Sequence, residues 1–307
     1  MRILVTGASG FIGRRLVPRL TRDGHQVVAI TEPGQEDPGF SGGVTIVSVG
    51  FDRLLDHIDE FRDMDLIVHL AWAGVSSAAK DDVEVQTSNI TYAAQIVGLA
   101  REAGIPRILC TGSTSEFAHN EGPITGVEAS TPSDVYAATK VAVRMILSVL
   151  CAQSGVALAW AAITSVYGPG RTDNNLITYC IRSMLASQPV RVTKLEQVWD
   201  YLYVDDLIEA LALLAENYSE GVYPVGSGTA RPMAEYVRVI EQTVGSASSV
   251  DIGAVPYKGA RVDNSIVDIS RLSSQTGFTP RVSFEVGISR TVEFFRELAA
   301  PESNVTV

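Results

Sequence analysis

Eight residues near the start of the chain constrain it most. Thr6-Gly7-Ala8-Ser9-Gly10-Phe11-Ile12-Gly13 follows a short apolar run, Arg2–Thr6, and opens an amphipathic segment, Phe11–Arg22. Glycines at a strand–helix junction have a mechanical reading. Gly7 permits a tight turn, Gly10 lets a pyrophosphate approach the backbone, and Gly13 lets the helix pack closely on the strand. The helix start then offers N–H groups and a partial positive charge to an anion. The spacing is G-x-x-G-x-x-G rather than G-x-G-x-x-G, and an ordinary glycine-rich turn is the competing reading. Its place at the head of an alternating chain favours a dinucleotide.

That alternation runs through the first half. Strands are predicted at Arg2–Thr6, Gln26–Ile30, Val44–Val49, Asp65–Leu70, Arg107–Thr111 and Ala157–Ser165, with helices at Arg53–Phe61, Val83–Ala103 and Asp134–Gln153. Apolar strands separated by helices predict an α/β fold, a doubly wound parallel sheet covered on both faces. After Tyr167 the rhythm breaks at Gly168-Pro169-Gly170. A helix near Leu176–Ser187, strands at Val190–Val192 and Val198–Tyr203, a helix at Asp206–Ala215 and a strand at Val222–Val225 follow. This predicts a dinucleotide-binding domain over 1–166, to which 201–226 returns. A smaller interleaved substrate lobe takes 167–200 and 227–300, and 301–307 is a tail.

Composition narrows the partners. The net charge of -11 argues against nucleic acid, though not against a local basic pocket. No run of apolar residues is long enough for a membrane span, and MRILVTGASG does not resemble an export signal. Cys110, Cys151 and Cys180 cannot all pair, and each lies in an apolar segment, so reduced buried thiols in a cytoplasmic protein are expected. The histidines show no metal-ligand spacing, and no metal is expected.

Two further features bear on chemistry. At the end of the second strand Thr31 occupies the position where an acidic residue would hold the adenosine ribose, with Glu32 one place on. Arg14 and Arg15 are as readily solvated helix residues as ligands for a 2′-phosphate. On balance NADP(H) is expected, with NAD(H) the alternative. Tyr136 and Lys140, four apart in a helical pattern, share one face. A neighbouring ammonium would lower the pKa of the phenol, and Ser113, just past the strand Arg107–Thr111, would supply a hydroxyl to the same substrate oxygen. Alone the pair reads as a surface contact; with the glycine loop it reads as an acid–base site.

Together these residues resemble the extended short-chain dehydrogenase/reductase family, the nucleotide-sugar epimerase, dehydratase and ketoreductase group. The resemblance runs over essentially the whole chain: TGASGFIG at Thr6–Gly13, HLAW at His69–Trp72, Asn89, TGSTSEF at Thr111–Phe117, YAATK at Tyr136–Lys140, VYGPG at Val166–Gly170, WDYLYVDD at Trp199–Asp206 and GSG at Gly226–Gly228. It implies a Rossmann-type fold. It makes Tyr136 the general acid/base and Ser113 the residue that orients the substrate. Lys140 would tune the phenol and hold the nicotinamide ribose. It implies a cofactor site of Gly7, Ser9, Gly10, Phe11, Ile12, Gly13, Arg14, Thr31, Leu70, Ala71, Trp72, Thr111 and Val166, together with Tyr136 and Lys140. Thr114, Tyr167, Asn175, Arg191, Trp199 and Arg261 would line the substrate side. The helix after Asp134 would build a homodimer.

Departures from the family pattern refine this. An adjacent Asp-Glu pair, which dehydratases carry directly after the catalytic hydroxyl residue, is replaced by Thr114-Ser115, with Glu116 one position late. Ser165 stands where epimerases often have Asn. Trp199 stands where many members have an arginine clamp for the substrate diphosphate; Arg171, Arg191 or Arg261 would take that role. The nearest branch by these variants is the nucleotide-deoxysugar 4-ketoreductases. The expected activity is reduction of a 4-keto group of a nucleotide-linked deoxysugar. A nucleotide-sugar epimerase is the alternative, and a non-catalytic dinucleotide-binding regulator a second one.

Overall fold

A computed structural model describes residues 1–35, 38–76, 79–120, 122–217, 219–257 and 264–299. Arg2–Thr6 forms β1, and the glycine loop feeds α1 (Gly13–Arg22). Then come β2 (Gln26–Thr31), β3 (Val44–Ser48), β4 (Leu66–His69), α2 (Val83–Ala103), β5 (Arg107–Ser113), α3 (Val135–Ser154) and β6 (Ala157–Ile163). The second half holds β7 (Ser165–Tyr167), α4 (Leu176–Leu185), β8 (Val190–Val192), β9 (Val198–Tyr203), α5 (Val204–Glu216) and β10 (Gly221–Val225). It closes with β11 (Ala230–Pro232), α6 (Met233–Val244), β12 (Val250–Ile252), β13 (Asn264–Ser265), α7 (Ser270–Thr276) and α8 (Phe284–Ala299).

Seven strands pair in parallel in the order β10-β6-β5-β4-β1-β2-β3. The period-2 alternation of strands distributes their side chains to two cores. Ile3, Val5, Leu66, Val68 and Leu109 pack on one face; Leu4, Ile67, Ile108 and Trp160 pack on the other. This is the doubly wound architecture expected. Strand order runs outward from β1 to β3, then jumps back to β4 and runs the other way. The reversal lies between β1 and β4, and the crevice beyond their carboxyl ends is where open α/β sheets bind ligands.

Local departures have local causes. Arg53–Phe61, expected as a helix, lies in a 3₁₀ segment over Phe51–Phe61 that is interrupted at His57 (φ -106°, ψ 18°). The strand expected through Ser165 stops at Ile163. There the Thr164 amide donates to Val225 O at 2.9 Å and its hydroxyl to Asp200 O at 2.7 Å, and the chain then enters a second sheet as β7. In that sheet β9 pairs with β7, β11 and β13; β8 and β12 pair in a separate two-stranded sheet. Of segment 201–226, α5 packs on α1 and β10 forms the edge of the large sheet, whereas 201–203 belong to β9. Asp200, fully buried, accepts the Ser227 and Gly228 amides at 2.9 Å each and so holds the Gly226–Gly228 turn against β9.

Among the described residues α3 is long and apolar enough to cross a bilayer by length and composition. It is packed against α2 and the sheet instead, and its two charges, Lys140 and Arg144, both point to protein partners. The tail 301–307 lies outside the described residues.

Candidate active site

A cleft of about 1300 Å³ opens at the carboxyl ends of β1, β4, β5 and β6. The glycine loop forms one wall. Gly7 has φ 68°, and a Cβ there would lie 2.7 Å from Ala71 N; a Cβ on Gly13 would lie 2.3 Å from Gly7 O. The loop is therefore compressed between the end of β4 and its own helix, a conformation and closeness only glycine permits. Gly10 donates to Gly7 O at 3.1 Å and is exposed to the cleft, so its bare backbone is open to a ligand. Thr6 Oγ1 pairs with His69 Nδ1 at 2.7 Å and locks β1 to β4 beneath the loop. Burial first, then the Lys140 charge, lowers His69 to about 3, so it is a neutral packed residue.

The segment after β4 is shaped from below by α2. Asn89 Oδ1 accepts the Ala73 amide at 2.8 Å. Gln86 Nε2 donates to Gly74 O at 2.7 Å, and Gln86 Oε1 accepts Trp72 Nε1 at 3.1 Å. Both polar side chains are buried and reach back to the loop, which fixes the Trp72 ring over the cleft floor.

On that floor α3 meets the end of β5. Asp134 caps α3 by accepting the Ala137 amide at 2.7 Å, which sets Tyr136 in its first turn. The Ser113 hydroxyl hydrogen-bonds the Tyr136 phenol. The Lys140 ammonium donates to Thr111 O at 2.8 Å and lies 3.5 Å from the centre of the Trp72 ring and 5.8 Å from that of Tyr136. A second cation, Lys80, sits 4.9 Å from the centre of the Tyr136 ring. Burial lowers Lys140 to about 8, with Cys110 and Glu116 opposing. Burial also pushes Tyr136 up to about 12, against the pull of the Ser113 hydrogen bond. The phenol is therefore not acidified as expected: desolvation of the ring is the largest cause, and the Lys140 ammonium is bonded to Thr111 O and faces the indole.

All the predicted residues of the glycine loop, with Arg14, Leu70–Trp72, Thr111, Ser113, Thr114, Tyr136, Lys140, Val166 and Trp199, line this cleft. Four others are placed elsewhere among the described residues. Thr31 points into the protein at the end of β2, and Glu32 faces the cleft in its stead. Tyr167 is buried in an aromatic cluster with Tyr201, Tyr203 and Phe284, because β7 turns its ring toward α8. Asn175 spends its side chain capping α4, accepting the Ile177 and Thr178 amides at 3.0 and 3.2 Å. Arg191 is exposed on β8, away from the cleft. Arg261 lies outside the described residues. Arg171, one of the clamp candidates, does line the cleft, but its guanidinium is committed to Asp173 (2.8 Å) and to Val166 O.

Sequence reasoning passed over Lys80, Phe51 and Tyr92. The last two stack at 5.0 Å on the cleft wall, yet come from separate elements, so no local spacing announces them. Glu116, one position late for the dehydratase pair, does not line the cleft; its carboxylate is buried behind β5.

A glycine cradle at the switch point, joined to a Ser–Tyr–Lys cluster on the same cleft, defines a dinucleotide-dependent enzyme of the extended short-chain dehydrogenase/reductase class. The comparisons resolve the class further. The profile of the NAD dependent epimerase/dehydratase family matches residues 3–226, and the chain belongs to that family. It is 28% identical over 318 residues to the UDP-glucose 4-epimerase of Mycolicibacterium smegmatis, covering 96% of this chain and 99% of the relative. Among solved structures, the UDP-glucose 4-epimerase of Thermotoga maritima superposes with a TM-score of 0.87 at 22% identity, covering 98% of this chain and all of that one. MoeE5 in complex with UDP-glucuronic acid and NAD superposes with a TM-score of 0.85 at 25% identity, covering 97% and 100%.

Proposed function

We propose that the protein is an NAD-dependent 4-epimerase of a nucleotide-linked sugar. The observation that carries this reading is the Ser113–Tyr136–Lys140 cluster on one cleft with the glycine loop, in a chain that aligns end to end with a 4-epimerase. The sequence variants had put ketoreduction first; the relatives favour epimerisation. NAD is favoured over NADP by Glu32, whose carboxylate faces the cleft at the end of β2 and repels a 2′-phosphate. Arg14, the basic residue closest to that role in sequence, spends its Nε on Ser9 O at 2.7 Å.

The residues fit a dinucleotide. The Gly7–Gly13 loop would hold its pyrophosphate, Glu32 its adenosine ribose and Lys140 its nicotinamide ribose. Bound there, the nicotinamide would accept and return a hydride at the sugar carbon. The chain supplies position and a proton site. Ser113 holds the sugar's 4-oxygen beside Tyr136, and Tyr136 Oη takes the hydroxyl proton and gives it back. As a phenol near 12, Tyr136 is a donor at neutral pH. When it acts as the base, the Lys140 ammonium, 5.8 Å from the ring centre, favours its ionised form. Thr114 and Trp199 line the cleft on the side proposed for the sugar. Exposed Met145, Ile146 and Val149 on α3 form the face of a proposed homodimer. The three unpaired, buried cysteines suit a cytoplasmic enzyme.

The test uses purified protein. Nucleotide is released from it by acid and identified, and the protein is incubated with UDP-glucose, UDP-glucuronic acid and other nucleotide sugars while product is followed by proton NMR. Interconversion of 4-epimers without net loss of cofactor is the expected result. Stoichiometric oxidation of NADPH by a 4-keto deoxysugar, with no epimerisation, would overturn it in favour of the reductase.

A further inference from the structure

Behind the Ser113 end of β5 lies a buried charge pair that the proposed chemistry does not use. Glu116 is wholly buried. Its Oε1 accepts the Ser113 amide and Trp160 Nε1, both at 2.9 Å, and its Oε2 accepts Arg144 Nε at 2.8 Å. Arg144 reaches on to Ser130 Oγ at 2.6 Å, and the Thr131 amide returns to Glu116 O at 2.8 Å. Gly112 makes room for this arrangement: a Cβ there would fall 2.0 Å from Trp160 Nε1 and 2.6 Å from Glu116 Oε1.

Burying a carboxylate and a guanidinium is costly, and an apolar pair would serve packing at least as well. What an apolar pair does not supply is placement. Tyr136, Lys140 and Arg144 recur every four residues on one stripe of α3. Lys140 is bonded to Thr111 O, and Arg144 is bonded through Glu116 to the Ser113 amide. Two charged contacts thus fix the helix that carries the phenol against the strand that carries its hydroxyl partner.

We propose that Glu116 and Arg144 are a positioning pair for this site: they hold Ser113 and Tyr136 in register. The turnover arm of the test rests on the function proposed above; the amide-exchange arm does not.

Two variants test it. E116Q/R144M removes both charges at once, so no unpaired ion is left in the core, and R144K keeps the charge but gives up the fork that spans Glu116 and Ser130. The contact is read without substrate by amide hydrogen exchange in cofactor-free protein: the Ser113 N–H, which donates to Glu116 Oε1 at 2.9 Å, should exchange at least about tenfold faster in both variants than in the wild type. Unmoved exchange overturns the proposal. In turnover, both variants should lose about tenfold in kcat with KM and NAD affinity within about threefold. Wild-type kcat in R144K also overturns it, and this variant decides even if the double variant does not fold. If the wild-type protein epimerises no nucleotide sugar, the functional reading fails, and the exchange of the Ser113 amide still decides whether the pair holds this end of β5.

Discussion

At the scale of single residues, the site depends on groups whose burial works against their charge. Tyr136→Phe deletes the proton site and keeps the ring against Trp72. Its turnover should fall by about 100-fold or more, with NAD affinity unchanged by fluorescence titration. Near-normal turnover would remove Tyr136 from the mechanism. Lys140 carries a stability signature as well. Its pKa is lowered from 10.5 to about 8, so below pH 8 the folded state carries a proton against its burial, whereas the unfolded chain holds that proton freely up to 10.5. The penalty is fully present below pH 8 and fades as pH rises to 10.5. Cys110, Cys151 and Cys180, raised by burial, contribute with the opposite sign over the same range, so the wild-type profile alone mixes them. The difference between K140M and wild type isolates the lysine. In urea unfolding of cofactor-free protein, the relative stability of K140M should decline by about 3 kcal/mol between pH 8 and 10.5. A pH-independent difference would show that Lys140 is not strained by its burial.

At the scale of elements, the glycine loop carries the sharpest expectation. In G13A the new methyl group would lie 2.3 Å from Gly7 O and 2.6 Å from Ala8 Cα, both backbone atoms that no rotamer change can move. The loop must shift, so a stability loss of about 2 kcal/mol or more is expected by thermal unfolding, together with lost NAD binding. An unaltered melting curve would mean that the loop is not compressed. This element was legible in the sequence because its function is local: strand, turn and helix start lie within a few residues. The pair Tyr136–Lys140 was legible for the same reason. Thr31 and Glu32 differ by one position, and pleat parity decides which faces the cleft. The turn after β2 sends Glu32 to the cleft and Thr31 inward. Tyr167 and Arg191 failed for a longer-range reason: their neighbourhoods are set by α8 and by pairing with β12, both absent from local spacing. Asn175 failed locally, because its side chain is taken up in capping α4. Glu116 was read by counting from Ser113, but its 3₁₀ turn swings the side chain behind the strand.

At the scale of the whole molecule, the surface of α3 is the feature left without a use inside the monomer. Met145 is 62% exposed and Val149 56%, four residues apart on one face of a helix whose other face packs on the sheet. The same helix positions Tyr136 and Lys140 at one end. A partner copy seated on this face would bury the apolar stripe and stiffen the element that carries the acid–base pair. A charge placed at the centre of this face tests it. M145E/V149E leaves both buried cores untouched, so the fold should persist by circular dichroism. If the face is the interface, light scattering should report a dimer for the wild-type chain and a monomer for the variant at micromolar concentration. A wild-type monomer at that concentration would assign the stripe to ordinary surface. In that case the bond from Lys140 to Thr111 O and that from Arg144 to Glu116 would be sufficient, within one chain, to hold α3 in place.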